Sequence, residues 1–341
     1  MKAAYLNRHG DVDVIELGEL PTPEPGHGEV RVKVKVAALN HLDIWVRKGL
    51  PGLKLHYPHV LGGDAAGVVD KTGAGVTRAQ PGASVIVHPG LSCRACEFCL
   101  GGWESLCPEY RILGEHVSGT HAEYVVVPEA NVFPVPANIT FEEAAAIPLV
   151  YTTAWQMLVR RAGIQPGEKV VVHAAGSGVG SAGIQIARLF GAEVIATAGS
   201  PAKLELARQL GAHHTINYAE EDLVKAVRRF APRGADVIFD HLGERFWDQN
   251  IRAVRSGGRL VVCGATTGHE GKTDLRHVFY RQVQILGSTM GTKGDFPTIL
   301  QHVARGTLKA VIDRAFPLSE VRQAHQRIER REVMGKVLLT P

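Results

Sequence analysis

Four of the five cysteines in the chain stand within one short segment. Cys93, Cys96 and Cys99 are separated by two residues each, and Cys107 follows after seven more. Gaps of two residues allow neighbouring thiolates to converge on one tetrahedral ion, with Zn–S distances of about 2.3 Å. Four thiolates would fill the coordination shell of zinc, so the spacing predicts a structural ion and not a catalytic one. An iron–sulfur cluster is built with related spacing and is the alternative; two disulfides are a third possibility.

A second candidate site is the glycine-rich segment after the apolar run Val170–Val172, which reads AAGSGVGS from position 174 to 181. Helical periodicity follows it from Ala182 to Phe190. Glycines between a buried strand and a helix let the backbone approach a pyrophosphate, and the free amides at the helix N-terminus stabilise its charge. The predicted dinucleotide-binding turn consists of Gly176, Ser177, Gly178, Val179 and Gly180. A tight turn that binds nothing is the alternative.

The end of the next predicted strand decides which dinucleotide fits. An acidic residue there would accept a hydrogen bond from the ribose 2′-hydroxyl of NAD. This chain has no carboxylate at that point; Ser200 follows the strand, Lys203 comes one turn later, and Tyr218 closes the following strand. A missing acid beside a lysine favours a 2′-phosphate, so we expect NADP, with NAD as the alternative.

The elements that must position these sites change in character along the chain. The segment Glu29–Val36 alternates charged residues with valine, which is typical of a half-buried strand. No alternation of helices and strands is visible before about residue 140, so that region is predicted to be irregular and all-β. From Lys169 onward, apolar runs alternate with helical segments that end at glycines such as Gly191 and Gly211. This alternation predicts a doubly wound α/β sheet.

Length and composition exclude several classes of protein. With 341 residues the chain is long enough for two domains. The net charge is +4 and the basic residues are scattered, which argues against nucleic-acid binding. No run approaches the roughly 20 apolar residues of a membrane span, and the strand-like first ten residues do not form a signal peptide. We expect a cytoplasmic protein with no nucleic-acid or membrane partner.

The motifs resemble those of the medium-chain dehydrogenase/reductase family, which includes zinc-dependent alcohol dehydrogenases and quinone oxidoreductases. The resemblance rests on the cysteine segment, the glycine turn, GGDAAG at positions 62–67 and ALNHLD at 38–43. It covers essentially the whole chain. It implies an α/β fold, in which a Rossmann doubly wound parallel sheet (residues 150–292) joins a GroES-like, mostly β catalytic domain (residues 1–149 and 293–341). The active site is expected in the cleft between them.

The chain departs from the zinc-dependent alcohol dehydrogenases at each catalytic zinc ligand. Asn40 stands where they have cysteine, Gly63 and Asp64 stand where they have histidine and then glutamate, and Leu149 falls near their second cysteine. Glycine and leucine cannot coordinate a metal, so we expect one structural zinc and no conventional catalytic zinc. In these respects the chain is similar to the zinc-free quinone oxidoreductases, which mostly use NADPH. The residues available for an unconventional second metal site are His41, His56, His59 and Asp64.

The resemblance implies hydride transfer between the nicotinamide C4 and a carbonyl, enone or quinone substrate. We expect Asn40 to stabilise the developing oxyanion, His41 to relay a proton or contact the pyrophosphate, and Asp43 to orient its neighbours. The residues expected around the cofactor are Thr153 at the nicotinamide, Lys336 at the phosphates, and Leu242, Gly264 and Met290 along the groove where parallel strands end. The alternatives are a zinc-dependent alcohol dehydrogenase with an unusual metal site and a non-enzymatic NADPH-binding protein. A homodimer or homotetramer is expected.

Overall fold

The computed structural model describes every residue from 1 to 341. No helix in it is both long enough and apolar enough to cross a membrane. The chain divides into two compact units, of which the first contains Met1–Leu149 and Thr292–Pro341 and the second contains Val150–Gly291. The chain therefore leaves the first unit after Leu149 and returns to it at Thr292.

The helices and strands follow one another in three stretches. The N-terminal stretch contains β1 (Lys2–Leu6), β2 (Ile15–Glu19), β3 (Glu29–Ala38), α1 (His41–Lys48), β4 (His59–Val60), β5 (Asp64–Thr72), β6 (Ser84–Val87), β7 (Gly90–Leu91), α2 (Glu97–Leu100), β8 (Arg111–Ile112), β9 (Tyr124–Pro128), β10 (Val132–Pro134) and α3 (Phe141–Ala145). The middle stretch contains α4 (Pro148–Trp155), which continues as a π-helix over Gln156–Arg161, then β11 (Lys169–Val172), α5 (Gly178–Leu189), β12 (Glu193–Ala198), α6 (Pro201–Gln209), β13 (His214–Asn217), α7 (Leu223–Phe230), β14 (Ala235–Asp240), α8 (Trp247–Ala253), β15 (Val254–Val262), α9 (Leu275–Arg281) and β16 (Gln284–Gly287). The C-terminal stretch contains α10 (Phe296–Ala304), β17 (Ile312–Pro317), α11 (Val321–Glu329) and β18 (Lys336–Thr340).

A seven-stranded sheet forms the frame of the first unit. Its strands lie in the order β10-β6-β5-β3-β18-β17, and β9 pairs with β3. The alternation predicted for β3 is confirmed, because Val30, Val32 and Val34 are buried while Lys33 and Lys35 are exposed. Antiparallel pairing of β18 with the end of β3 places residues from both chain ends side by side in one sheet.

The prediction that the N-terminal region is entirely β was wrong at α1 and at the four-residue helix α2; α1 is the longer of the two. Ile44 and Val46 are buried in this eight-residue helix. Its start carries a local signal, since Asn40 is the N-cap residue and the carboxylate of Asp43 accepts a hydrogen bond from the Asn40 backbone N–H at 2.7 Å. Helix α1 is short and has strands on both sides in the chain, so the sequence shows no repeated alternation of helices and strands there.

The second unit confirms the predicted doubly wound sheet. Its six strands are all parallel and lie in the order β13-β12-β11-β14-β15-β16, which is the strand order of a dinucleotide-binding Rossmann fold. Helix α5 begins at Gly178, earlier than the predicted Ala182. The Ser177 side chain caps this helix by accepting a hydrogen bond from the Gly180 N–H at 2.9 Å, so the glycines form the first turn of the helix.

Candidate active site

A buried polar cluster lies at the first turn of α1, where β5 begins and β18 begins. The Lys336 ammonium donates to the Asn40 side-chain oxygen at 2.5 Å and to the Asp64 carboxylate at 2.9 Å. The Asn40 amide donates to the same Asp64 oxygen at 2.9 Å, and the Leu149 backbone N–H donates to the other oxygen at 2.9 Å. Asp64 is 0% exposed and Lys336 is 3% exposed. The structure therefore joins Asn40 to two charged residues that face each other away from water.

Asp43 supports this cluster from the backbone side. Its carboxylate accepts hydrogen bonds from the backbone N–H groups of Asn40 at 2.7 Å and Gly62 at 3.1 Å. Burial raises the pKa of Asp43 to about 7, because desolvation outweighs the two hydrogen bonds and the nearby Lys336 ammonium, which favour the ionised form. Through these two bonds Asp43 joins the start of α1 to the turn before β5; its orienting role in the reaction stays a prediction.

His41 lies beside this cluster in sequence but makes different contacts. Its ring packs edge-on against Trp45, with 5.1 Å between the ring centroids. Burial lowers the pKa of His41 below its ordinary value, so the imidazole is neutral near pH 7. A neutral imidazole has one donor nitrogen and one acceptor nitrogen, which is the state that a proton relay needs.

Lys336 is placed differently from the sequence-based expectation. We expected its ammonium to approach cofactor phosphates, but the structure directs that ammonium inward to Asn40 and Asp64. The physical reason is the buried Asp64 carboxylate, which requires a compensating charge. Sequence spacing could not indicate this pair, since Asp64 and Lys336 are 272 positions apart.

The four cysteines converge in space. The sulfur atoms of Cys93, Cys96, Cys99 and Cys107 all lie within 4.8 Å of one another, with 3.8 Å between Cys93 and Cys99 and 3.5 Å between Cys93 and Cys107. Tetrahedral zinc with Zn–S distances of about 2.3 Å needs sulfurs about 3.8 Å apart. Backbone N–H groups of Ala95 and Cys96 donate to the Cys93 sulfur and lower the pKa of that thiol to about 6. The donor set and its spacing therefore fit one zinc ion.

The glycine turn lies at the carboxyl end of β11, where α5 begins. A Cβ atom on Gly180 would overlap the carbonyl oxygen of Ala174, so only glycine fits at that position. The Ser177 hydroxyl is also 3.0 Å from Nε2 of His241, a residue that sequence reasoning did not select. His241 directly follows β14, and its position after a buried apolar strand is the signal that could have indicated it.

The region after β12 holds the residues expected at the cofactor 2′ position. The methylene stem of Lys203 packs against Gly176 in the glycine turn. It lies so close that a Cβ atom on Gly176 would be only 2.8 Å from Lys203 Cδ. Ser200 is the N-cap residue of α6, and the Tyr218 ring packs against the turn just before it. Sequence reasoning missed Arg245, whose guanidinium lies 5.4 Å from the Tyr218 ring centroid. Two basic residues are therefore present in the second unit near the point where NAD-binding chains have an acid.

The remaining predicted cofactor residues lie at the same edge of the parallel sheet. Leu242 follows β14 by two positions, Gly264 follows β15 by two, and Met290 follows β16 by three. Thr153 is 5% exposed, and its hydroxyl lies 3.9 Å from the Met290 sulfur. Ligands of open α/β sheets bind outside the carboxyl ends of the strands, so this edge is suited to a dinucleotide.

Comparison with known proteins shows the family to which the chain belongs. The family model of the alcohol dehydrogenase GroES-like domain matches residues 26–137, and that of the zinc-binding dehydrogenases matches residues 178–305. The chain belongs to the medium-chain dehydrogenase/reductase family. It is 30% identical to a quinone oxidoreductase from Rattus norvegicus, over 99% of this chain and 97% of the relative. The chain is also similar to solved structures. One is an NAD-dependent alcohol dehydrogenase, which is 53% identical, has a TM-score of 0.97 and matches over 100% of each chain. Another is a 2-octenoyl-CoA carboxylase reductase in complex with NADP and 2-octenoyl-CoA, which is 29% identical and has a TM-score of 0.90 over 99% of this chain and 87% of that one.

The catalytic zinc of many medium-chain dehydrogenases does not fit the residues of this chain. Asn40 and Leu149 stand at two of the ligand positions implied by the resemblance, and Gly63 stands at the third. The Lys336 ammonium, bonded to the Asn40 side chain, would repel a cation at this point. His59, one candidate for an unconventional site, instead contacts the Gly114 carbonyl at 3.0 Å. The chain is an oxidoreductase of this family, and its four clustered cysteines are not part of the cluster around Asn40.

Proposed function

We propose that the chain transfers hydride between NADPH and a carbonyl group, or a C=C bond conjugated to a carbonyl, without a catalytic metal. The observation that carries the proposal is the Asn40 amide, which is held by Lys336 and Asp64 where relatives have a metal ligand. NADPH, when bound, supplies the hydride. The protein must then stabilise the negative charge that develops on the substrate oxygen.

The contacts of Asn40 leave it one free donor for this task. An ammonium only donates and a carboxylate only accepts, so the contacts to Lys336 and Asp64 fix which end of the amide is oxygen. The amide nitrogen carries two N–H groups, and one of them donates to Asp64. The other can donate to a substrate oxygen, and the Lys336 ammonium polarises the amide in the direction that strengthens this donation. We assign His41 as the group that passes a proton to the resulting alkoxide or enolate.

Preference for NADPH over NADH is the second part of the proposal. It is supported by Lys203 beside the glycine turn, by Arg245 beside Tyr218, and by the absence of a carboxylate after β12. The similar alcohol dehydrogenase structure is described as NAD-dependent, so the two nucleotides must be compared directly. We expect NADPH to bind at least about tenfold more tightly than NADH, and Lys203→Met to weaken NADPH binding while leaving NADH binding unchanged. Tighter binding of NADH by the unchanged protein would reject this preference.

Metal counting joined to a substrate panel tests the catalytic part. We expect one zinc per chain, and turnover of enones, quinones or aldehydes that persists under a chelator which leaves the cysteine site loaded. Asn40→Ala should lower kcat by about a hundredfold, the typical effect of removing one oxyanion donor. Asn138→Ala is the matched control, because Asn138 is exposed and donates only to the Ala304 carbonyl. Full turnover in Asn40→Ala, two zinc ions per chain, or NADPH binding without turnover of any substrate would each refute the proposal.

We further propose that two copies pair through β16. This strand is the last in its sheet, so one of its edges carries unpaired backbone groups, and Ile285 on it is 42% exposed. The adjacent helix α9 exposes Phe279 (63%) and Tyr280 (79%). Ile285→Lys should shift the mass measured by light scattering towards the monomer, and a monomeric unchanged protein would refute the pairing.

A further inference from the structure

Glu104 connects the cysteine loop to the point where the chain returns to the first unit. It lies between the third and fourth cysteines and opens a short 3₁₀-helix, Glu104–Leu106. The Glu104 carbonyl accepts the backbone N–H of Cys107 at 3.0 Å. The position of Glu104 is therefore tied directly to that of a metal ligand.

The Glu104 carboxylate contacts two consecutive residues of the return segment. One of its oxygens accepts hydrogen bonds from the Thr292 hydroxyl at 3.0 Å and from the Lys293 backbone N–H at 2.7 Å. The other lies 3.3 Å from the Lys293 ammonium. Thr292 is 3% exposed and Lys293 is 8% exposed, so these contacts are largely shielded from water. Charged hydrogen bonds in such surroundings are stronger than exposed ones.

Lys293 also contacts the base of the cysteine loop. Its ammonium donates to the Gly90 carbonyl at 3.0 Å and lies 3.4 Å from the Ser92 hydroxyl. Both Gly90 and Ser92 come just before the first cysteine. Glu104 and Lys293 together thus join both sides of the loop to residues 292–293.

The loop has little else to hold it in place. Between positions 92 and 110, Cys107 is the one buried residue. A segment without an apolar core orders only when metal binding supplies the missing free energy. A metal in the cysteine site would therefore hold Glu104 in place, and with it the carboxylate that contacts Thr292 and Lys293.

We propose that Glu104 is a positioning residue through which the bound metal fixes the conformation of residues 292–293. These residues directly follow Met290 and Gly291, where the second unit ends. Met290 is the residue we assign to the cofactor groove; this link, and the zinc in the cysteine site, rest on the proposed function. Metal release is then expected to loosen the return segment as well as the cysteine loop.

Amide hydrogen exchange of full-length, zinc-loaded protein tests the proposal without any activity measurement. Glu104→Gln should raise exchange in residues 292–296 about tenfold, while metal analysis still finds one zinc per chain. Glu109→Gln is the matched control, because Glu109 lies in the same loop and is exposed. In this variant, amide exchange in residues 292–296 should equal that of the unchanged protein. Circular dichroism checks that each variant is folded.

Zinc removal from the unchanged protein provides the second arm. Exchange in residues 292–296 should rise together with that in residues 92–110, and chelation of Glu104→Gln should add little in the return segment. If chelation raises exchange in the loop alone, or if Glu104→Gln exchanges like the unchanged protein, the coupling is overturned. A KM for NADPH that rises in Glu104→Gln more than kcat falls would support the link to the groove. If amide exchange in residues 292–296 rises in Glu104→Gln but the KM for NADPH does not, only the assignment of Met290 to the cofactor groove is contradicted.

Discussion

Replacement of Lys336 by methionine separates the two roles that this residue could have. If Lys336 mainly contacts cofactor phosphates, its removal changes little in the cofactor-free protein. If it mainly neutralises Asp64, as the structure shows, its removal leaves a buried carboxylate without its counter-ion. Methionine keeps most of the length and apolar volume of the lysine stem, so the substitution removes chiefly the charge.

The expected loss of stability follows from the contacts. Removing one partner of a buried ion pair costs about 3–5 kcal/mol. Asp64 would keep two other donors, the Asn40 amide at 2.9 Å and the Leu149 N–H at 2.9 Å, so we expect the lower end, about 3 kcal/mol. In a unit of this size, that corresponds to a fall in Tm of roughly 10 °C.

Thermal unfolding of the cofactor-free protein is the assay, with Lys35→Met as the control for an exposed lysine in the same unit. The control should stay within about 0.5 kcal/mol of the unchanged protein. Adding Asp64→Asn to Lys336→Met removes both charges and should recover about 2 kcal/mol of the loss. A loss below about 1 kcal/mol in Lys336→Met, together with weakened NADPH binding, would show that the ammonium serves the phosphates and that our reasoning on the cluster is wrong.

Three further outcomes are expected. Burial raises the pKa of Asp43 from 3.8 to about 7, so the folded state binds one more proton than the unfolded state between these pH values, and stability falls as pH rises through that window. Relative to Asp43→Asn, the unchanged protein should lose about 3 kcal/mol between pH 4 and pH 7, and a difference in urea unfolding that does not change with pH would contradict this. Gly180→Ala should weaken NADPH binding at least about tenfold in titration calorimetry, because its methyl group would overlap the Ala174 carbonyl oxygen, whereas Gly287→Ala, with open space around its Cβ position, should bind normally. Cys107→Ser should reduce bound zinc from one per chain towards none in metal analysis; retention of the full equivalent would exclude the four-thiolate site.

Much of the fold could be predicted from local sequence patterns. The continuous apolar run Val170–Val172 indicated a strand buried on both faces, and it lies in the middle of the parallel sheet. Helix α1 was missed, because eight residues with two buried aliphatic side chains produce too weak a periodicity. The sequence pattern predicts that the helix begins at Ala182, whereas the Ser177 cap makes the preceding Gly178 and Gly180 part of α5.

The sequence by itself determined the sites whose residues are neighbours along the chain. Four cysteines within one loop can reach one ion whatever the rest of the fold does, and a glycine turn between a strand and a helix presents its amides without distant help. Only the tertiary structure decided the surroundings of Asn40, because Lys336 reaches it from 296 positions away. No local pattern encodes such a contact; it arises because β18 pairs with the end of β3 and brings the Lys336 ammonium to the buried Asp64 carboxylate.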